Sequence, residues 1–241
     1  MRAVILAGGK GTRLRPYTTV LPKPLMPLGN QPILELILHQ LSGAGFRQVD
    51  LSVGHLGGLI RAYLTESKAV SGELEIGYLY EDEPLGTAGA LRLIDPPPQE
   101  AFLVMNGDIL TTLDYAELMR FHERERPALT IASHQKEVQL SLGVIESQGG
   151  DNEVTGFVEK PTLHYEVSMG IYVYEPSALA HIPDGRFDFP DVVLALLEAG
   201  ERVLTYPFAG EWFDIGTRDE HERAMIEYEA DAGQFGSETP G

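Results

Sequence analysis

Glycines, cations and a proline-flanked lysine crowd into residues 4–24, VILAGGKGTRLRPYTTVLPKP. The apolar run over residues 3–7 reads as a buried strand, and it leads straight into Gly8, Gly9 and Gly11. Glycine lets the backbone turn tightly and come close to a ligand, so its N–H groups can cradle phosphate oxygens. Thr12, Arg13 and Arg15 follow, then Lys23 between two prolines. Arg13 offers a planar fork to such oxygens and Lys23 a point charge. Glycine pairs alone would fit an ordinary strand–loop connection with a few surface cations. The order of strand, glycines, arginine and fixed lysine favours a phosphate site. Two familiar phosphate motifs are absent. Lys10 is followed by Gly11, which breaks G-x-x-x-x-G-K-[ST]; Gly9-Lys10-Gly11 is followed by Thr12, Arg13 and Leu14, which breaks G-x-G-x-x-G.

Chemistry at phosphorus also calls for divalent metal, and magnesium takes one or two carboxylates while keeping several waters. Asp108 sits in Asn106-Gly107-Asp108 after the apolar run 102–105, and Asp214 in Trp212-Phe213-Asp214-Ile215-Gly216. Alone, N-G-D is a common turn. The acidic stretch Glu81-Asp82-Glu83 runs into Pro84-Leu85-Gly86-Thr87-Ala88-Gly89, which by itself reads as acids ahead of a helix start. Glu159-Lys160-Pro161 and Ser168-Met169-Gly170-Ile171-Tyr172 complete the set. The seven histidines show no metal-ligand spacing, and no G-x-S-x-G elbow supports a serine hydrolase.

The pattern G-G-x-G-T-R-L-x-P with P-K-P downstream resembles that of the sugar-phosphate nucleotidyltransferases, also called nucleotide-sugar pyrophosphorylases. The likeness runs from residue 1 to about residue 228. It implies condensation of an NTP with a sugar 1-phosphate to NDP-sugar and pyrophosphate, with Mg²⁺ held by Asp108 and Asp214. It implies nucleotide contacts from Leu6, Ala7, Gly8, Gly9, Gly11, Thr12 and Arg13, and from Glu81, Pro84, Gly86 and Thr87 around the base. Gly143, Glu159, Lys160, Ser168 and Gly170 would bind the sugar phosphate, with Lys160 gripping its phosphate. Arg13, Lys23 and Asp108 would carry catalysis. Many members have asparagine where this chain has Ser168, which weakens a hexose assignment by analogy. Thymine- or uracil-reading members usually open the base loop with glutamine, where this chain has Glu81. A carboxylate only accepts, and guanine presents adjacent N1–H and N2–H donors. That match, with P-L-G-T-A-G, leans toward GTP and a mannose-, glucosamine- or heptose-type phosphate. The alternatives are a glucose-1-phosphate thymidylyl- or uridylyltransferase, and a non-catalytic nucleotide-sugar-binding regulatory subunit. Arg13, Lys23, Asp108, Lys160 and Asp214 are all present, which disfavours the last.

Positioning these groups takes a large α/β domain, and 241 residues suffice for one, expected over residues 1–230 with a flexible tail at 231–241. Residues 2–7, 48–53, 74–79 and 102–106 read as strands, alternating with helical patterns at 33–43, 56–64 and 88–93. Such alternation predicts a Rossmann-like, mostly parallel sheet flanked by helices, with ligands beyond the strands' carboxyl ends. Strand patterns at 128–133, 142–146, 154–159 and 168–174, joined by polar connections such as 148–152, predict a small antiparallel sugar-binding insertion. Helices are expected at 190–198 and 217–229, the second opened by a Thr217–Glu220 capping box. No hexapeptide repeat is seen, so no left-handed β-helix domain is expected.

A hydrophobic content of 43% and a charged content of 22% fit a soluble globular protein, and no apolar run approaches the roughly 20 residues of a membrane span. The first residues lack a signal-peptide pattern, and zero cysteines exclude disulfides, thiolate metal sites and a cysteine nucleophile. A cytoplasmic location is expected. The net charge of −18 argues against nucleic-acid and anionic-membrane partners. Many relatives self-associate, so a homo-oligomer is an option that no apolar stripe establishes.

Overall fold

Strict alternation of buried faces organises the central sheet. A computed structural model describes residues 1–67, 74–147 and 152–236 of the chain. Its strands are β1 (Arg2–Leu6), β2 (Pro27–Leu28), β3 (Gln31–Pro32), β4 (Gln48–Val53), β5 (Glu75–Tyr80), β6 (Phe102–Asn106) and β7 (Ile109–Thr111), followed by β8 (Leu129–Gln139), β9 (Val144–Ser147), β10 (Val154–Val158), β11 (Thr162–Tyr174), β12 (Val203–Phe208) and β13 (Trp212–Asp214). Its helices are α1 (Ile33–Gly43), α2 (Gly57–Glu66), the single turn α3 (Gly86–Gly89), α4 (Tyr115–Glu125), α5 (Phe189–Glu198) and α6 (Arg218–Ala230). Seven strands form one sheet in the order β12-β8-β11-β6-β1-β4-β5. Four of its pairings are parallel, and β11 alone runs against both neighbours.

Successive strand side chains leave the sheet on opposite faces. Accordingly Ala3 and Ile5 of β1, Leu103 and Met105 of β6, and Ile171 and Val173 of β11 join one core. Val4, Phe102, Val104, Tyr172 and Tyr174 join the other. Burial on both faces is why these strands read as continuous apolar runs. In α1, Ile33, Leu34, Leu36, Ile37, Leu38 and Leu41 are buried, and the helix stops where Gly45 takes φ +90 and Phe46 N–H reaches back to the Leu41 carbonyl at 3.0 Å. Gly45 suits that left-handed turn because it lacks a Cβ.

The first-half elements match the expected ones closely; residues 33–43, 48–53 and 102–106 coincide with α1, β4 and β6. The expected helix at 88–93 is instead the turn α3 continued as a 3-10 turn, Ala90–Leu93. The antiparallel section is built differently from the short strands expected. β8 and β11 are members of the main sheet, and their far ends, Gln135–Gln139 with Thr162–Glu166 in register, continue as a two-stranded ribbon. β9 and β10 form a separate hairpin; residues 148–151 of the predicted polar connection lie outside the described residues. The flexible tail expected from Asp231 does not hold for residues 231–236. Phe235 is 1% exposed and packs against Tyr228, with its carbonyl bonded by Gln40 at 3.1 Å. One aromatic ring gives the segment enough apolar area to dock; residues 237–241 lie outside the described residues. No helix among the described residues is long and apolar enough to cross a membrane.

His122, on α4, is wholly buried, with Nδ1 2.8 Å from Thr130 Oγ1 and Nε2 3.4 Å from Glu175 Oε1. Burial holds its pKa below the usual 6.5, against the opposing pull of Glu175. The unfolded chain therefore binds this proton more readily than the folded one, so stability falls as pH drops below about 6.5. Thermal melts from pH 8 to pH 5.5 should show that fall in the natural chain and a smaller one in His122→Gln; parallel curves would exclude the buried imidazole as its cause.

Candidate active site

The glycine loop is clamped at the carboxyl ends of three adjacent strands. Ala7 N–H donates to the Ser52 carbonyl at 2.8 Å, and Gly107 N–H to the Leu6 carbonyl at 3.0 Å. Gly11 adopts φ +57, where a side chain is disfavoured, and a Cβ there would stand 2.8 Å from Thr18 Cγ2. Its carbonyl accepts from Thr18 Oγ1 at 2.7 Å. A 3-10 turn, Thr12–Leu14, then buries Leu14 and leaves Arg13 exposed. Leu6, Ala7, Gly9, Gly11, Thr12, Arg13 and Lys23 line one cavity of about 250 Å³ together with Asp108.

Two carboxylates meet beside this loop because β7 and β13 pair antiparallel, Asp214 opposite Ile109. Ile215 N–H donates to the Asp108 carbonyl at 3.0 Å, which locks the two motifs together. Lys23 Nζ pairs with Asp108 Oδ2, while Asp108 Oδ1 is buried without a hydrogen-bond partner among the described residues. Burial raises the Asp214 pKa, and the nearby Asp108 charge and Glu220 raise it further; Lys23 and Arg13 pull the other way. Arg13 reaches Gly216, where a Cβ would stand 3.3 Å from its Nη1. A buried carboxylate oxygen without a donor, next to a second acid whose charge is disfavoured, is a donor set that suits a hard divalent cation such as Mg²⁺. Among the described residues no group of three or more acidic, His or Cys side chains gathers for a metal, so Asp108 and Asp214 would leave most positions to waters and phosphate oxygens.

The loop expected to hold the base is tied down from within. Glu81 accepts from the Ser52 hydroxyl and, at 2.9 Å, from Leu85 N–H. Gly8 packs against it; a Cβ on Gly8 would fall 2.5 Å from Glu81 Oε1. Glu81 thus joins the glycine loop to residues 81–85. Thr87 N–H donates to Asp188 at 3.0 Å, Thr87 Oγ1 accepts from Phe189 N–H at 2.8 Å, and Gly86 at φ +79 lies against the Phe187 carbonyl. Pro84 is exposed.

The residues assigned to the sugar phosphate form two groups, neither lining the cavity above. Gly143 and Glu159 meet at the β9–β10 hairpin, where a Cβ on Gly143 would be 3.0 Å from Glu159 Oε2 and 2.2 Å from the Phe157 ring. Lys160 follows at φ +46, exposed, with Nζ 3.8 Å from Glu159 Oε1. Ser168 and Gly170 sit at a bulge in β11, between the registers Ser168–Ser133 and Tyr172–Ile131. The bulge presses Gly170, at φ +75, against Asn106, and Trp212 Nε1–H donates to the Met169 carbonyl at 3.1 Å. The S-M-G, N-G-D and W-F-D-I-G motifs are therefore interlocked. Arg15, expected beside Arg13 and Lys23, instead lines a different hollow, because residues 15–19 turn away after the 3-10 turn.

Residues 2–231 match the sequence family described as Nucleotidyl transferase. The chain belongs to that family. It is 34% identical over 224 residues to a mannose-1-phosphate guanyltransferase of Yarrowia lipolytica, covering 90% of this chain and 61% of that protein. It is 32% identical over 245 residues to a UTP–glucose-1-phosphate uridylyltransferase of Synechocystis, covering 93% of this chain and 62% of that protein. The chain thus spans about three-fifths of the length of these curated relatives. The crystal structure of HddC from Yersinia pseudotuberculosis has the same fold, with a TM-score of 0.72 at 24% identity, covering 94% of this chain and 99% of that one.

Several groups in the candidate site of this nucleotidyl transferase family member escape a reading of the sequence. Ser52 anchors Glu81, and Asp188 anchors Thr87 across 101 positions. Tyr172 bonds Ser168 at 3.1 Å and stacks on Phe189 with ring centroids 3.7 Å apart. Ser133, buried, donates to Glu166 at 2.6 Å beside the same bulge. Long sequence separation hides the first two. For Tyr172, the aromatic within the S-M-G-I-Y motif was the available signal.

Proposed function

We propose that residues 1–230 form one nucleotidyltransferase domain that condenses an NTP with a sugar 1-phosphate, releasing pyrophosphate. The observation that carries this reading is the convergence of the glycine loop, Arg13 and Lys23 on Asp108, whose Oδ1 is buried and without a hydrogen-bond partner among the described residues. The sugar phosphate is already anionic, so no general base is needed. An oxygen of its phosphate attacks the α-phosphorus, and the bond from that phosphorus to the β-phosphate bridging oxygen breaks. The loop N–H groups and Arg13 hold the triphosphate and take up charge on the departing pyrophosphate. Lys23 serves the α-phosphate, and Lys160 places the attacking one. Asp108 and Asp214 would hold Mg²⁺, which when bound supplies positive charge to the α-phosphate oxygens.

GTP is the favoured nucleotide, on the acceptor-only Glu81 and the P-L-G-T-A-G loop, with a mannose-, glucosamine- or heptose-type phosphate as partner. One observation favours a second reading, a uridylyl- or thymidylyltransferase. Both Glu81 oxygens already accept internal hydrogen bonds, which leaves base selection to backbone groups around Gly86. Pyrophosphate release with Mg²⁺, measured for GTP, dTTP, UTP, ATP and CTP against common sugar 1-phosphates, decides between them. A GTP row supports the first reading, a UTP or dTTP row the second. Binding of nucleotide sugar without turnover anywhere in the grid would favour a regulatory subunit. On the active pair, Lys160→Ala should raise the KM for sugar phosphate about tenfold while leaving kcat and the KM for NTP nearly unchanged. An unchanged KM would remove Lys160 from its role.

A further inference from the structure

One short segment, residues 187–189 at the start of α5, grips both the loop expected to hold the base and the S-M-G motif expected to hold the sugar. Toward the loop the grip is polar. Phe187 N–H donates to the Leu85 carbonyl at 2.9 Å, and the Phe187 carbonyl accepts from Ala88 and Gly89 N–H, each at 3.0 Å. Asp188 Oδ1 accepts from Thr87 N–H at 3.0 Å, and Phe189 N–H donates to Thr87 Oγ1 at 2.8 Å. Toward the S-M-G motif the grip is apolar. The buried Phe189 ring lies nearly parallel to the Tyr172 ring, at an interplanar angle of 19° with centroids 3.7 Å apart. Ser168 Oγ donates to the Tyr172 hydroxyl at 3.1 Å and accepts from Gly170 N–H at 3.3 Å. Gly170 lies against Asn106, so the run of contacts ends in the N-G-D motif. The start of α5 is itself well fixed: Asp188 and Asp191 form a capping box, and Pro190 lies in the first turn. Phe189 therefore holds Thr87 with its main chain and Tyr172 with its ring.

We propose that Phe189 is a positioning residue that sets the separation between the loop at Thr87 and the S-M-G motif, and so the approach of the attacking phosphate to the α-phosphorus. This role rests on the nucleotidyl-transfer reading above. The ring carries no group that could donate, accept or bind metal, so it acts only through Tyr172. Each substrate side also has ties of its own. Glu81 fastens Leu85 to Ser52, and Trp212 Nε1–H holds the Met169 carbonyl at 3.1 Å. Removing the ring therefore leaves each side's own ties in place and loosens the relation between the two. Attack at phosphorus is sensitive to that relation, since a misplacement of about 1 Å can cost roughly 10²-fold in rate.

Phe189→Leu tests this, because it keeps an apolar side chain in the core and the N–H bond to Thr87 while removing the stack on Tyr172. With the active NTP and sugar 1-phosphate at saturation, its single-turnover rate should fall about 10- to 100-fold, while the KM for each substrate stays within about threefold. Phe189→Tyr, which keeps an aromatic ring, should restore the rate to within about threefold of the natural chain's. Rates are compared at a temperature where melts show every variant folded, so that a loss of stability alone leaves them unmoved. An unchanged rate in Phe189→Leu, a loss confined to the KM of one substrate, or a Phe189→Tyr variant as slow as Phe189→Leu would overturn the positioning role. If the natural chain turns over and Phe189→Leu keeps pace with it, that role alone falls. If the natural chain turns over no pair of substrates, the nucleotidyl-transfer reading falls and takes the role with it.

Discussion

Asp108→Asn should lower kcat by roughly 10³-fold or more while leaving the fold intact, a loss of the size seen when charge stabilisation at phosphorus is removed. The substitution keeps the side chain's shape and the backbone carbonyl that accepts from Ile215 N–H at 3.0 Å, so the link between β7 and β13 survives. What it removes is the anion. Lys23 loses its ion-pair partner, and the buried Oδ1 position no longer carries the charge a divalent cation would seek. Affinity for Mg²⁺, followed through nucleotide binding, should fall in parallel. A variant that turns over at a near-natural rate with Mg²⁺ would contradict the metal assignment.

Asp214→Asn should do something less intuitive: abolish most activity and make the protein more stable. The folded Asp214 pKa is raised, chiefly by burial and then by the Asp108 charge. A raised carboxylate pKa means the fold binds that proton more tightly than the unfolded chain, so ionised Asp214 weakens the fold as pH rises through its folded pKa. Asparagine removes the charge. At pH 7 the variant's Tm should exceed the natural one measurably, where a domain of this length moves by about 2–4 °C for each kcal/mol. The gap should narrow as pH falls into the carboxylate range, where natural Asp214 is itself protonated. Saturating Mg²⁺ and nucleotide should reverse the order by stabilising the natural chain alone. A lower Tm for the variant at pH 7 would show that the Asp214 charge is satisfied within the fold. Such a trade between stability and activity is common where like charges are gathered for catalysis.

Elements buried on a definite face were legible in the sequence. The apolar residues of α1 and the two-faced runs of β1, β4 and β6 announce themselves because packing demands them. The far halves of β8 and β11 were not legible: residues 135–139 and 162–166 are largely exposed, so no apolar period marks them. α4 escaped notice although Asp114 caps it by accepting from Glu117 N–H at 3.0 Å. At the site, the loop glycines, Arg13, Lys23, Asp108 and Asp214 were readable because each stands in a short motif. The binding of Glu81 by Ser52, or of Thr87 by Asp188, joins residues 29 and 101 positions apart, and nothing local records it. The separation of Arg15 from Arg13 has the same origin, since adjacency in the chain says little once a 3-10 turn redirects it.

The central claim is that a sugar 1-phosphate oxygen attacks the α-phosphorus of an NTP in the Arg13–Lys23–Asp108 cavity. Sugar 1-phosphate carrying ¹⁸O in its phosphate, turned over with the preferred NTP and analysed by ³¹P NMR, tests it most directly. All of the label should appear in the NDP-sugar, bonded to the phosphorus next to the sugar, and none in pyrophosphate, with one labelled oxygen bridging to the nucleoside-side phosphorus and shifting its signal too. Label in pyrophosphate or in free phosphate would mean that a different bond breaks, and the assignment of these residues to nucleotidyl transfer would be wrong.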